Sequence, residues 1–329
     1  MIRFDVIVPT YNRSELLAKT LASLARAATP PGVEVGFIVV DNNSREPHAA
    51  RNAAIVAGLG DARFRLVIET GQGSSFARNA GIAASGADWI GFVDDDEQVD
   101  ASWLVVASAH LQAEHVDFIS GPCLPDWESH APKWLPAHVG KYIAVIGWID
   151  IARTVKEFGR ELDAMAMGGN FAVKRRWFDA VGVYDTALGR VKGRLLSSED
   201  HEMHNRLVAA GARGFYVPEL IIHHFIPSTR LTKRYHRQWA FWHGFSMQHL
   251  ELRSSPHGVP MLLGMPRYLV GNALRSLPRL LAGALAGGIR SPRTFALELD
   301  LIEIAGRLYA QLSRAPLQVP RPMAPASKA

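Results

Sequence analysis

The first hundred residues alternate short apolar segments with segments of helical spacing, and this alternation constrains the fold more than any other feature. Four apolar segments predict strands: 4–9, 33–41, 64–69 and 89–93. Between them, the segments beginning at Ser14 (as the N-cap), Ala49 and Phe76 are predicted helices. Strands joined by helices of this length form right-handed βαβ units. The pattern therefore predicts an α/β fold with a mostly parallel sheet flanked by helices.

The pattern is looser after residue 98. The sequence predicts helices at 102–113 and 199–210, strands at 118–124, 165–173 and 220–225, and an ordered loop at 122–136. Beyond residue 231 the chain is predicted to be helical and basic, and its last 15 residues, with four prolines, are predicted to be disordered.

Polar side chains follow three of the predicted strands at the point where each strand ends. They are the segments Thr10-Tyr11-Asn12-Arg13, Asp41-Asn42-Asn43-Ser44 and Asp94-Asp95-Asp96. Open parallel sheets bind ligands outside the carboxyl ends of their strands. The sequence therefore predicts a site at this edge.

The Asp94-Asp95-Asp96 triplet indicates a divalent cation. Three adjacent carboxylates are expected to raise one another's pKa values unless a cation is present. Mg²⁺ and Mn²⁺ are hard ions that prefer oxygen ligands. A solvated acidic turn is the alternative, and the position at a strand end favours the cation site.

Charge is distributed unevenly along a chain of globular composition, 48% hydrophobic and 20% charged. Residues 225–329 hold 14 Lys and Arg against 4 Asp and Glu, which is net +10, so the overall +5 leaves −5 for residues 1–224. The apolar content of the basic part favours a membrane or partner surface over nucleic acid. No signal peptide is predicted. No membrane-spanning helix is predicted either, because Arg267, Arg275 and Arg279 interrupt the longest apolar region.

Four motifs in order give a family resemblance. They are residues 6–13 (VIVPTYNR), 40–44 (VDNNS), 73–81 (GSSFARNAG) and the aspartate triplet. Over residues 4–240 the chain resembles the family 2 glycosyltransferases, inverting enzymes of the GT-A fold that use nucleotide sugars. The resemblance implies a GT-A domain over 1–230. The pattern of the remaining chain predicts a basic helical C-terminal extension over 231–314 and a disordered tail over 315–329.

The resemblance also implies roles for individual residues. Asp200 would be the catalytic base with Glu199 beside it, and Asp96 and His224 would hold Mn²⁺ or Mg²⁺. The donor would be bound by Pro9, Thr10, Tyr11, Asn12, Arg13, Asp41, Asn43, Gly73, Arg78, Asp94, Asp95, Gly169, Asn170 and Arg230. Among these, Asp41 would accept a hydrogen bond from the nucleobase and Asp94 one from the ribose hydroxyls. Arg78 would contact the base or a phosphate.

Structural alternatives stand beside several of these roles. Asp41 could instead form a turn, and Arg78 a surface ion pair. Glu199 and Asp200 could simply stabilise a helix start. His223 and His224 point to opposite sides of a strand, so only one can reach the site, and the spacing to Pro227 and Arg230 selects His224.

The function predicted from these features is metal-dependent, inverting transfer of a sugar from a UDP-, GDP- or dTDP-sugar to an acceptor hydroxyl. The processive Gln-x-x-Arg-Trp motif is absent, which favours addition of single sugars. A carbohydrate or lipid-linked acceptor in cell-surface polysaccharide or glycolipid synthesis is expected. We also expect a cytoplasmic location, peripheral contact with the inner membrane, no nucleic acid partner and a potential homodimer. The alternatives are a nucleotidyltransferase of similar fold and a non-catalytic nucleotide-sugar-binding scaffold on a membrane.

Overall fold

The computed structural model describes residues 1–135, 145–189, 198–254, 260–262, 265–287 and 291–313. The predicted tail at 315–329 lies outside these ranges. Within them the chain forms one large sheet, two small sheets and helices on both faces of the large sheet, with three long helices at the C-terminal end.

The large sheet has eight strands. They are β1 (Ile2–Thr10), β2 (Val33–Asp41), β3 (Phe64–Ile68), β4 (Trp89–Phe92), β6 (Phe118–Ser120), β8 (Lys156–Glu157), β9 (Phe171–Lys174) and β10 (Gly214–Tyr216), in the spatial order β3-β2-β1-β4-β9-β6-β10-β8. The first four strands pair in parallel, β9 runs antiparallel between β4 and β6, and β8 is antiparallel to β10. The predicted mostly parallel α/β sheet is confirmed.

Two smaller sheets complete the strand structure. They consist of β5 (Glu97–Val99), β7 (Cys123–Trp127) and β11 (Ile222–Ile226) in the order β5-β11-β7, and of the hairpin β12 (Met261–Leu262) and β13 (Met265–Pro266). The three-stranded sheet matters for the site, because β11 pairs antiparallel with β5, which begins directly after Asp96.

The helices are α1 (Ser14–Arg26), α2 (His48–Gly58), α3 (Ser74–Ala84), α4 (Trp103–Leu111), α5 (Arg176–Val181), α6 (Glu199–Ala209), α7 (Lys233–Ser254), α8 (Arg267–Gly287) and α9 (Pro292–Ser313). Alternation along the strands divides the core between the two sheet faces. Val6 and Val8 belong to one apolar cluster with Leu17, Leu21 and Leu24 of α1, and Ile7 belongs to the other.

Several local predictions were wrong. The predicted strand 118–124 is two strands in different sheets, separated by Gly121 and Pro122, and β7 occupies the start of the predicted loop 122–136. Gly121 approaches the Leu220 carbonyl so closely that an added Cβ would lie 2.2 Å from it, which explains a bend here. Of the predicted strand 165–173, only the end is strand. Ser14 is the first residue of α1, and its hydroxyl donates to Asn52 at 2.8 Å instead of capping the helix.

The C-terminal extension is helical, as predicted. Glycines let α7 and α9 pack backbone to backbone, because a Cβ on Gly244 or Gly306 would lie 2.0 Å from a carbonyl oxygen of the other helix. Pro278 lies inside α8. This surface helix tolerates it because water can reach the carbonyl of exposed Leu274, which Pro278 leaves without a donor. Among the described helices, none combines the length and apolarity needed to cross a bilayer.

Candidate active site

The carboxyl ends of β1, β2 and β4 meet at one edge of the large sheet. Thr10 stands opposite Asp41 in the β1–β2 register, and Asp94 follows β4 after Val93. The predicted convergence of polar strand ends at this edge is therefore present. The three aspartates after β4 differ in their burial and in their hydrogen-bond partners.

Asp95 points into the protein. It is buried, and its carboxylate accepts from the Thr10 hydroxyl at 2.8 Å and from Arg13 at 3.0 Å. Burial raises the pKa of Asp95 to about 7, against the attraction of Arg13 and with Asp96 acting in the same direction as burial. Asp95 therefore stabilises the strand end, and its contact with the donor stays a prediction.

Asp96 is buried between two cations. Its Oδ2 accepts from Arg13 at 3.0 Å and from Arg230 at 3.2 Å. Burial raises the pKa of the Asp96 carboxyl, but His224, Arg230 and Arg13 together outweigh this effect and hold the pKa well below its usual range. The expectation that the triplet's carboxylates raise one another's pKa values thus holds for Asp95 and fails for Asp96.

His224 lies against Asp96, and its hydrogen bonds define its tautomer. Nδ1 is 2.9 Å from the carbonyl oxygen of Ile146, which can only accept, and Nε2 is 3.0 Å from Arg230, which can only donate. Nδ1 therefore donates to Ile146, and Nε2 faces Arg230 and Asp96. His223 is exposed on the other side of the strand. The sequence-based choice of His224 agrees with this geometry.

Asp200 and Glu199 begin α6 and meet Arg78 of α3. The guanidinium donates to Glu199 at 3.2 Å and lies 3.6 Å from Asp200 Oδ1. Burial raises the pKa of Asp200 to about 7, opposed by Arg78 and supported by the charges of Glu199 and Asp94. A carboxyl with a pKa in this range can take a proton near neutral pH.

Arg78 is buried, with its Nη atoms directed at carboxylates of its own chain. Besides Glu199 and Asp200 it reaches Asp94, with 3.0 Å between Nη2 and Oδ1. The contact of Arg78 with a nucleobase or a phosphate stays a prediction. The surface ion pair considered as its alternative does not describe this residue, because the side chain is 4% exposed.

The Gly168-Gly169-Asn170 turn is packed against carboxylates. A Cβ on Gly168 would lie 2.1 Å from an oxygen of Asp200, and one on Gly169 would lie 2.1 Å from an oxygen of Glu97. Asn170 is fully buried, donates to the carbonyls of Pro122 and Leu220 and accepts from Trp103. Gly169 and Asn170 were predicted to bind the donor. In this structure Gly169 packs against Glu97, and Asn170 is bonded to groups of its own chain.

Asp41 forms a turn, the alternative left open by the sequence. It is buried, and its oxygens accept from the backbone N–H of Ser44 and the amide of Asn52. These two bonds engage both carboxylate oxygens, and the contact of Asp41 with the nucleobase stays a prediction.

The remaining predicted donor residues lie on the strand-end turns. Pro9, Tyr11, Asn12 and Arg13 are partly exposed, and Asn43 is exposed. Asn12 and Asn43 adopt left-handed backbone conformations, with φ of 54° and 63°. Gly73 precedes α3 with φ of 143° and donates its N–H to Asn42.

Sequence reasoning missed three residues of this region. Glu97 is buried, accepts from the backbone N–H of Asp94 at 2.7 Å, and has a pKa raised well above its usual range by burial and by the charges of Asp94 and Asp96. Tyr184 places its ring 5.5 Å from the Arg78 guanidinium. Asn42 joins the end of β2 to the glycine turn at 71–73. Asn42 follows a strand and could have been found; the other two carry no local signal.

Within the described ranges, no three His, Cys, Asp or Glu side chains are grouped so as to hold a metal ion by themselves. Asp96 Oδ2 and His224 Nε2 lie 3.5 Å apart and form a pair of donor atoms. A metal at this pair would need further ligands from a bound substrate.

Comparisons with known proteins agree with the motifs. The sequence model described as Glycosyl transferase family 2 matches residues 5–182. The chain is 27% identical over 264 residues to the succinoglycan biosynthesis protein ExoM of Rhizobium meliloti, covering 78% of each chain. It is 23% identical to the glucosyl-dolichyl phosphate glucuronosyltransferase of Haloferax volcanii, covering 76% of this chain and 78% of that protein.

A solved structure shares the fold. The mannosyltransferase PcManGT from Pyrobaculum calidifontis, in complex with GDP-Man and Mn²⁺, superposes with a TM-score of 0.61 at 18% identity, covering 95% of this chain and 88% of that chain. The fold is thus that of a GT-A glycosyltransferase, and the chain belongs to glycosyl transferase family 2.

Proposed function

We propose that this glycosyltransferase carries out metal-dependent, inverting transfer of a single sugar from a nucleotide sugar to an acceptor hydroxyl. The observation that carries the proposal is the contact of Arg78 with both Asp94, at the strand edge, and Asp200, at the start of α6. It joins a carboxylate able to accept a proton to the edge where such sheets bind nucleotides.

Asp200 is the proposed base. It takes the proton of the acceptor hydroxyl while that oxygen bonds to the anomeric carbon and the bond from that carbon to the diphosphate breaks. Attack from the face opposite the leaving group inverts the anomeric centre. General-base catalysis of this kind contributes about 10²–10⁴-fold to the rate. Glu199, hydrogen-bonded to Ser74 at 3.1 Å and to Arg78, holds the first turn of α6 in place.

Asp96 and His224 are the residues that would hold Mn²⁺ or Mg²⁺. An imidazole nitrogen and a carboxylate suit a divalent cation, and two protein ligands leave coordination positions for a diphosphate. A bound divalent ion neutralises charge that develops on the leaving group. PcManGT was solved with Mn²⁺ and GDP-Man, which supports this assignment. Arg13 and Arg230, which contact Asp96 in this structure, would then pair with the diphosphate.

The nucleoside is proposed to lie on the turns that follow β1 and β2. Pro9, Tyr11, Asn12 and Asn43 line that edge, and Asp94, whose side chain is 36% exposed, is placed to accept from ribose hydroxyls. The base could be that of a UDP-, GDP- or dTDP-sugar. The name of ExoM supports a role in polysaccharide synthesis.

Helix α8 is proposed to rest on an anionic membrane that presents the acceptor. Leu274, Leu277 and Leu281 recur every three or four residues and are 51–70% exposed. Arg275 and Arg279 lie on another exposed face of α8, which has no acidic residue. An apolar face backed by arginines is the pattern of a helix lying in the headgroup layer, where each basic residue contributes about 1 kcal/mol.

The function is tested by incubating the protein with UDP-, GDP- and dTDP-sugars and Mn²⁺, and measuring release of the nucleoside diphosphate and the anomeric configuration of the product. We expect one nucleotide class to be turned over, with inversion. Turnover in excess chelator, or retention of configuration, would contradict the metal or the mechanism, respectively. Release of pyrophosphate with a nucleotidyl product would instead indicate a nucleotidyltransferase.

A further inference from the structure

Arg78 occupies a central position among the acidic groups of the site. The residue is 3% exposed, and its guanidinium contacts Asp94, Glu199 and Asp200. The ring of Tyr184 packs against the same guanidinium. One buried cation therefore faces three carboxylates.

These carboxylates come from two parts of the fold that are far apart in sequence. Asp94 follows β4 at the proposed donor edge, whereas Glu199 and Asp200 begin α6 on the side of the proposed acceptor. Among the described side chains, Arg78 is the cation in contact with both groups. The directional hydrogen bonds of the guanidinium go to Asp94 and to Glu199, so they fix the first turn of α6, which carries Asp200, relative to Asp94.

Burial and two neighbouring carboxylates, Glu199 on the same helix and Asp94 after β4, oppose the ionisation of Asp200. Tyr184 after α5 and His204, one turn further along α6, line the same small cavity. The backbone N–H of Gly168 favours the charged form. Arg78 is the positive charge that faces this carboxylate directly, at 3.6 Å.

We propose that Arg78 is a positioning residue for the base, tying the carboxylate of Asp200 to that of Asp94 and keeping it charged and aimed at the site. This inference rests on the proposed role of Asp200. It replaces a direct contact of Arg78 with the nucleotide, because both Nη atoms are already directed at carboxylates. Arg78 thereby acts on the reaction through another residue.

The test compares the pH dependence of kcat/KM in wild type, Arg78→Gln, Arg78→Lys and a matched control. Removing the positive charge makes Asp200 harder to ionise. In Arg78→Gln we expect the acid limb of the profile to move upward by about 1–3 pH units. The loss of rate should then be at least about tenfold larger at pH 6.5 than at pH 9. Arg78→Lys keeps the positive charge but loses the planar pair of guanidinium donors, so the acid limb of its pH profile should move less than that of Arg78→Gln.

Arg206→Gln is the control. Arg206 also fastens α6 to a neighbouring segment, through the carbonyls of Val181, Gly182 and Val183, and it pairs with Glu202. Its loss should lower the melting temperature without moving the acid limb. In either Arg78 variant the donor KM should change less than kcat, since both Nη atoms are already directed at carboxylates.

The outcomes separate this inference from the proposed function. A uniform loss of rate at every pH in Arg78→Gln, or a rise in donor KM with an unmoved limb, would overturn the positioning role. If Asp200→Asn kept the wild-type rate, the proposed base itself would be wrong. Should Arg78→Gln fail to fold by circular dichroism, Arg78→Lys decides: an unmoved limb in that variant counts against the inference.

Discussion

The Nε2 atom of His224 and the Oδ2 atom of Asp96 face each other at 3.5 Å, although no local feature of the sequence links them. The antiparallel pairing of β11 with β5 creates this contact, because it sets His224 opposite Glu97, the neighbour of Asp96. Arg230, six residues after His224, then closes the group by contacting both.

Asp96→Ala is expected to abolish transfer and most of the Mn²⁺-dependent tightening of nucleotide binding, because it removes the carboxylate ligand. Isothermal titration of the nucleotide diphosphate with and without Mn²⁺ measures this. Asp126→Ala, which removes an exposed carboxylate from β7, is the control and should behave like wild type. Unchanged Mn²⁺ dependence in Asp96→Ala would place the metal elsewhere.

Asp200→Asn keeps the shape of the side chain but cannot take a proton at neutral pH. Donor affinity should survive while kcat falls by about 10²-fold or more. Single-turnover kinetics with saturating donor provides the measurement, and Asp179→Asn on exposed α5 provides the control. A variant that loses donor affinity and keeps its rate at saturation would show that Asp200 binds substrate.

Gly147→Ala is expected to disturb His224. Gly147 has φ of +71°, and a Cβ there would lie 2.7 Å from Nδ1 of the imidazole. Gly32→Ala is a matched control, since φ is +77° and nothing lies within 4 Å. Both should lose about 1–2 kcal/mol from backbone strain, but the Mn²⁺ affinity measured by titration should fall only in Gly147→Ala. Equal metal affinity in the two variants would mean that the segment at 147 does not position the histidine.

His204 predicts a pH dependence of stability. Burial lowers its pKa to about 4 from an ordinary value near 6.5, and its Nδ1 accepts from the backbone N–H of Ala166. Between pH 6.5 and 4 the unfolded chain binds a proton that the folded chain does not, so stability falls as pH falls, by at most about 3 kcal/mol.

The contribution of His204 can be isolated with His204→Gln, which can still accept the hydrogen bond but has no titrating group in this range. Urea unfolding at pH 6.5 and at pH 4.5 should show a smaller difference in this variant than in wild type. Exposed His223→Gln is the control and should retain the wild-type difference. The same difference in all three proteins would assign the pH dependence to other groups.

The leucine face of α8 predicts association with anionic membranes. We expect the protein to sediment with vesicles of phosphatidylglycerol at low salt, and less with phosphatidylcholine, because both apolar burial and arginine–phosphate attraction contribute. Replacing Leu274, Leu277 and Leu281 with Gln should abolish binding, whereas the same change at exposed Val105, Ile151 and Val155 should not. Absence of an anionic preference, with a dimer in light scattering that the leucine changes dissociate, would assign the face to a second copy of the chain.

The sequence by itself determined the parallel α/β sheet and the edge at which its site lies. The period of the apolar residues specifies strands and helices locally. The right-handed chirality of βαβ units then arranges these strands into a parallel sheet. The family motifs pointed to Asp96, His224 and Asp200, because these residues stand in or next to strands and helices that local patterns reveal.

Only the tertiary structure decided which polar side chains of the motifs bond to other parts of the chain. Asp41, Asp95, Arg78 and Asn170 are polar residues in family motifs, yet the structure turns each inward onto partners of its own chain. Partners such as Asn52, Thr10, Glu199 and Trp103 come from other segments. Whether a polar side chain faces a substrate or braces the fold depends on such long-range contacts, because a buried polar group must find its hydrogen bonds wherever the fold supplies them.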